Sequence, residues 1–153
     1  MANELNIRNP KARFDYHIER SLEAGIVLLG SEVKAIRDGK IRLLDAYVEF
    51  ENQEAWLKQL WIGQPENQTS FPHEESRKRK LLLSRSQINQ LIKEVERHSG
   101  ATVVPLRVYQ SDSGKLKVEV GLALGKTKVD KKRVIQEREA KRSLERIKKG
   151  ARE

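Results

Sequence analysis

Between Lys115 and Leu124 the chain alternates without a slip. Leu116, Val118, Val120, Leu122 and Leu124 are large and apolar, and Lys115, Lys117, Glu119, Gly121 and Ala123 stand between them. A period of two puts every second side chain on one face of a strand, so this stretch can be half buried only as part of a sheet. The apolar face must meet a core, and the other face opens with two lysines. Just upstream, Thr102–Tyr109 is a second β-rich run, joined to the first by the turn Ser111-Asp-Ser-Gly114. The pair therefore predicts an antiparallel hairpin. Pro105 removes a backbone donor from the first strand, which predicts an edge or a bulge there.

The rest of the first 124 residues extends this pattern. Tyr16–Leu29 reads as a strand, with Gly25 as a bend or bulge and Gly30 as its stop. Ser31–Arg37 reads as a short helix, capped by Ser31, with Glu32 near its positive end and Asp38-Gly39 closing it. Ala46–Trp61 is a hairpin pattern turning at Glu51-Asn-Gln-Glu54, and the polar run Gln64–Ser76, with Pro65 and Pro72, is a loop. Ser84 and Gln87 have capping-box spacing, followed by Ile88, Leu91, Ile92 and Val95 on one helical stripe, with Gly100 as the stop. These elements predict a mainly β fold with short helices. The expected architecture is a small antiparallel barrel running from about Arg13 to Leu124, of which the oligonucleotide-binding type is one version.

The end of the chain obeys a different rule. From Gly125 onward there are twelve basic and five acidic residues, a net +7 out of the whole chain's +9. Apolar residues there are sparse: Ala140, Leu144, Ile147 and Ala151 would form only a narrow stripe on a helix. Pairs such as Glu137 with Lys141 contribute roughly 0.2–0.5 kcal/mol each, too little to order an isolated helix. The expected division is a domain at 1–124 and a basic arm at 125–153, flexible when free and helical when docked. A nearly neutral body with a cationic arm points to a polyanion, nucleic acid first.

Catalytic chemistry is not visible. The chain has no cysteine, which excludes a disulfide framework and fits a reducing cytoplasm. The first residues lack a secretory signal pattern, and the longest apolar run, Gly25–Gly30, is too short for a membrane span. His17, His73 and His98 are isolated, without metal-ligand spacing, and read as structural or solvent-exposed. No nucleophile, base and oxyanion donor come together, so neither an enzyme nor a cofactor is expected. The cluster Arg77-Lys78-Arg79-Lys80 has two readings, a solvated loop or a phosphate grip on the body.

Four blocks of the chain, in order, carry a resemblance. Asn9, Ala12 and Tyr16 come first, and Gly30-Ser-Glu-Val-Lys-Ala-Ile-Arg-Asp-Gly-Lys40 follows. Then come Arg79-Lys-Leu-Leu-Leu83, and Gly125-Lys126 with Asp130-Lys131-Lys132 and Ile135-Gln-Glu-Arg-Glu139. Together they resemble the SsrA-binding protein (small protein B) family over roughly 9–147. The resemblance implies a protein that binds the tRNA-like domain of transfer-messenger RNA and delivers it to stalled ribosomes in trans-translation. It implies a tail that probes the empty messenger channel near the decoding centre, with elongation factor Tu in the same delivery complex. No membrane partner and a monomeric free state are expected.

Carried over residue by residue, the resemblance gives a body RNA surface of Asn9, Glu32, Lys34, Lys40, Lys80, Leu82, Ser84 and Lys117. In the tail it gives Lys126, Lys128, Asp130, Lys131, Lys132, Arg133, Ile135, Arg138 and Ile147. Glu32 is expected to accept hydrogen bonds from bases or ribose, or to orient Lys34, because a carboxylate is repelled by phosphates. The chain departs from the family pattern at Ser84, where asparagine is common, and at Thr127, Val129 and Lys132 in the tail. The alternatives are a ribosomal or translation-factor-like protein binding ribosomal RNA or tRNA, and a small RNA-modifying enzyme.

Overall fold

The computed structural model describes residues 5–66 and 72–125. The tail expectations, from Lys126 to Ile147, lie outside them. In chain order the elements are β1 (Asn6–Arg8), α1 (Pro10–Asp15), β2 (Tyr16–Ile26), α2 (Gly30–Arg37), β3 (Ile41–Arg42) and β4 (Tyr47–Glu51). They continue with β5 (Glu54–Lys58), β6 (Trp61–Ile62), β7 (Arg79–Leu82), α3 (Arg85–Arg97), β8 (Ala101–Gln110) and β9 (Leu116–Gly125).

The long strands close on themselves. Around the ring the order is β8, β4, β5, β7, β2, β9 and back to β8, every pairing antiparallel. This is the expected small antiparallel barrel, and closure removes the open edges that invite aggregation. β9 lies along one edge of β8. The other edge is shared, with Val103 pairing to Val48 of β4 and Arg107–Tyr109 pairing to β1. The hairpin between β4 and β5 turns through Asn52 and Gln53, both left-handed at φ 52° and 61°, as a tight two-residue turn between twisted strands requires.

The core is the inward set of the alternating strands. Val118, Val120 and Leu122 of β9 meet Leu57, Leu81 and Val103, all at most 1% exposed. α3 covers them with Ile88 and Leu91 buried and Ile92 and Val95 packed at the margin. Its start is the predicted capping box: the Gln87 N–H donates to Ser84 Oγ at 3.1 Å, and the Ser84 N–H donates to Gln87 Oε1 at 3.0 Å.

A second, smaller core lies outside the barrel. Ala12 of α1 packs with Val104, Leu106 and Ala123, and with Tyr16, Ile18 and Tyr47 at its margin. Part of the β9 face that opens with the two lysines is therefore covered. Gly121 sits at this contact, where an added Cβ would fall 2.9 Å from Leu106 Cδ1. The alternation correctly marked the inner face of β9, but it carried no sign of α1.

Other local expectations shift. Pro105 marks a bulge, between Pro105 and Arg107, but β8 is paired on both edges. The bulge in β2 falls between Ile18 and Arg20 instead of at Gly25. Gly25 is where β2 changes partner, pairing with Lys117 of β9 and Leu82 of β7. Leu29, not Ser31, occupies the cap position of α2. Ser31 is buried inside the first turn, and its hydroxyl meets His73 Nδ1 at 2.8 Å.

Candidate nucleic-acid interface

α2 is held from beneath by charge. Glu32 is wholly buried, and its carboxylate accepts from the Leu29 N–H at 2.8 Å, from Arg77 Nη2 at 2.5 Å and from Arg79 Nε at 2.7 Å. Arg79 is equally buried and also donates to the carbonyls of Leu60 and Glu75. Burial alone would raise the Glu32 carboxyl; the hydrogen bonds from Arg77, Leu29 and Arg79 outweigh it and hold the group below the usual carboxylate range. Two charges out of water persist only when paired and hydrogen-bonded in this way.

The expectation that Glu32 faces RNA is therefore corrected: both its oxygens are engaged inside the protein. The same geometry settles the basic cluster differently from either reading. The strand period turns Arg79 inward to Glu32, while Lys78 lies outside over the Trp56 ring, 4.6 Å from its centroid. His73 is buried beside this network. Its Nε2 lies 2.9 Å from the Ile62 carbonyl, which can only accept, and its Nδ1 shares a hydrogen bond with the Ser31 hydroxyl at 2.8 Å. The segment leading to β7 is thus fastened to α2 by His73 and Arg77 together.

The fastened helix turns Lys34 and Arg37 to solvent. Beside it, β2, β7 and β9 bring together a surface that mixes apolar and basic groups. Leu82 is 55% exposed and packs against Gly25, where an added Cβ would lie 3.2 Å from the leucine Cβ. Gly25 is in turn register partner to Lys117, so Leu82 and Lys117 flank the same bare point of backbone. A groove of about 330 Å³ runs here, with Ile26, Leu28, Val33 and Leu116 as its apolar lining and Arg37, Lys115 and Lys117 as its basic lining. Val27 and Leu29, each nearly half exposed, extend the apolar part beyond the strand. Apolar surface for unstacked bases combined with cations for phosphates is what single-stranded or looped RNA requires.

The remaining expected body residues divide. Lys40 follows Gly39, left-handed at φ 79°, in the turn that ends α2. Lys80 is on β7, paired to Glu54 at 2.6 Å. Ser84 spends its hydroxyl on the α3 cap. Asn9 is buried away from the groove, where its amide donates to the carbonyls of Pro105 at 3.0 Å and Leu43 at 3.3 Å, so it reads as a structural tie. Leu82, Lys117 and the outer face of α2 are the part that converges. Sequence reasoning missed Arg37, Val27 and Leu29; Lys115 was visible only as the first lysine of an outward face.

The sequence and the fold both have known counterparts. Residues 6–150 match the family model described as SmpB protein. A protein of Desulfitobacterium hafniense (strain DSM 10664 / DCB-2) named SsrA-binding protein is 46% identical over 138 residues, 90% of this chain and 87% of that protein. One of the same name from Roseiflexus castenholzii (strain DSM 13941 / HLO8) is 49% identical over 139 residues, again 90% and 87%. Among solved structures, a chain described as "tmRNA-SmpB: a journey to the center of the bacterial ribosome" superposes with a TM-score of 0.69 at 38% identity, over 86% of this chain and 94% of that one. Similarity of this extent reaches across the barrel, α2 and the basic end alike, and the chain belongs to the SmpB protein family.

Proposed function

We propose that this protein binds the tRNA-like domain of transfer-messenger RNA and carries it to stalled ribosomes in trans-translation. The body grips the RNA at the groove between Leu82 and Lys117, with Lys34 and Arg37 of α2 along its side. Lys40 and Lys80 add charge at the margins, and Glu32 acts from within by fixing α2. The single observation that supports this most is that Leu82 and Lys117 flank Gly25 in one apolar, basic-rimmed groove. The likeness to a chain whose description names tmRNA-SmpB and the bacterial ribosome supports the same reading.

In this reading residues 125–153 are an arm whose net +7 suits the vacant messenger channel and the decoding centre. Lys126, Lys128, Asp130, Lys131, Lys132, Arg133 and Arg138 would make its polar contacts, and Ile135 and Ile147 would support a docked helix. Elongation factor Tu would join the delivery complex, and the work would take place in the cytoplasm. Among the described residues no helix is long and apolar enough to cross a membrane.

The test is a competition assay. Labelled tRNA-like domain bound to the full chain should resist bulk tRNA in large excess. Equal competition by bulk tRNA would point instead to a general tRNA- or ribosomal-RNA-binding protein.

A further inference from the structure

Across the outside of the barrel, strand register lays out a row of charges. Glu23 of β2 pairs with Glu119 of β9, Glu119 with Arg107 of β8, and Arg107 with Arg8 of β1. Directly paired residues on antiparallel strands point to the same face, and like charges placed opposite one another are destabilising. The arginine pair is thus an unfavourable choice for a strand only three residues long. Arg107 has local relief: its Nε donates to Glu119 at 3.2 Å, and its guanidinium lies 4.1 Å from the centroid of the Tyr109 ring. Arg8 is exposed, and no carboxylate among the described residues pairs with it. Arg8, Arg107 and Arg13 of α1 line one cleft of about 270 Å³, in which Glu119 is the only acidic lining residue among the described residues.

The adjacent row ties this cleft to the groove. Gly25 pairs with Lys117, Lys117 with Tyr109, and Tyr109 with Asn6, so the outer surface is continuous from Leu82 to β1. Lys117 and the β1 edge are two strand spacings apart, about 10 Å. A nucleic-acid backbone held at Lys117 can cover that distance within a few nucleotides.

We infer that the Arg8–Arg107 edge is a second phosphate site, at which the backbone of bound RNA relieves the repulsion between the paired guanidiniums. Guanidiniums suit phosphate because their planar donors can engage it in pairs. The inference rests on the proposed RNA-binding reading and adds to it a second, separate point of contact.

The test uses full-length protein with Arg8→Ala and Arg8→Lys, chosen because Arg8 is exposed and Arg107 is left with its partners. Thermal melts verify that both variants fold. Affinity is measured against log salt for the isolated tRNA-like domain, and separately for ribosomes with an empty messenger channel. Loss of one phosphate contact should reduce the salt slope by about one and weaken binding at low salt, with the curves converging at high salt. Arg8→Lys should keep most of the slope. A change with the tRNA-like domain identifies transfer-messenger RNA as the source of the phosphate; a change with ribosomes alone identifies ribosomal RNA. Unchanged slopes in both arms overturn the inference. Loss of selectivity in the unaltered protein would instead defeat the proposed function, and the Arg8 slope would remain readable on any RNA.

Discussion

Glu32 and Arg79, both fully buried, meet through a 2.7 Å hydrogen bond from Nε to the carboxylate and tie α2 to β7. Replacing Arg79 with methionine leaves a buried carboxylate with Arg77 as its remaining basic partner. Breaking such a pair from one side costs about 3–5 kcal/mol, most of it from the charge left behind. Urea unfolding should show that loss for Arg79→Met and for Glu32→Ala. RNA affinity should fall for both, because α2 loses its seat. Higher affinity for Glu32→Ala, simply from removing a negative charge, would show that Glu32 does not position the interface.

The same carboxylate gives a dependence on acid. Its folded-state pKa is depressed, so its contribution to stability is complete above the ordinary glutamate value near 4.3. That contribution is lost as pH falls from there through the lowered folded value. Unfolding midpoints between pH 3 and pH 7 should decline at the acid end. Glu32→Gln should start lower and decline less; parallel curves would assign the acid sensitivity to other groups.

At the groove, charge and contact should separate. Lys117→Ala should lower the salt slope for the tRNA-like domain by about one unit. Leu82→Ala should weaken binding at every salt concentration and leave the slope alone, since it removes apolar contact without charge. Leu82 is mostly exposed, so its loss should change stability little. A Leu82 variant that binds normally would move the interface elsewhere.

Binding and rescue should come apart at the tail. A chain ending at Gly125 should still select the tRNA-like domain, with reduced affinity because twelve basic residues are gone. Peptide tagging on stalled ribosomes should collapse. Ile147→Pro, which leaves charge unchanged and costs about 3 kcal/mol in a helix interior, should impair tagging while sparing RNA binding. Normal tagging by both variants would rule out the channel-probing role.

What could be read from the sequence was mostly what neighbouring residues decide among themselves. Ser84 and Gln87 announce a helix start three residues apart, and the inward set of β9 is written in its own alternation. Arg79 shows the limit. Within Arg77-Lys78-Arg79-Lys80 nothing distinguishes the third cation, because its fate depends on Glu32, 47 positions away. The cover over the outer face of β9 was hidden for another reason: β9 offers only Gly121 and Ala123 there and α1 meets them with Ala12, side chains too small to form an apolar pattern, while Val104 and Leu106 that complete the cluster stand on another strand. At the proposed interface, Leu82 and Lys117 were suggested by resemblance, while the groove joining them to Arg37 and Lys115 exists only once three strands are assembled.

β9 has one further property. Lys117 stands near one end of it and Gly125 at the other, where it pairs with Tyr16. Eight residue steps of extended chain separate them, about 26 Å at the rise of a β-strand. Because β9 is paired on both sides within a closed ring, that interval cannot stretch or fold. The barrel therefore serves as a ruler: whatever Lys117 holds, the chain beyond Gly125 sets out from a point fixed relative to it.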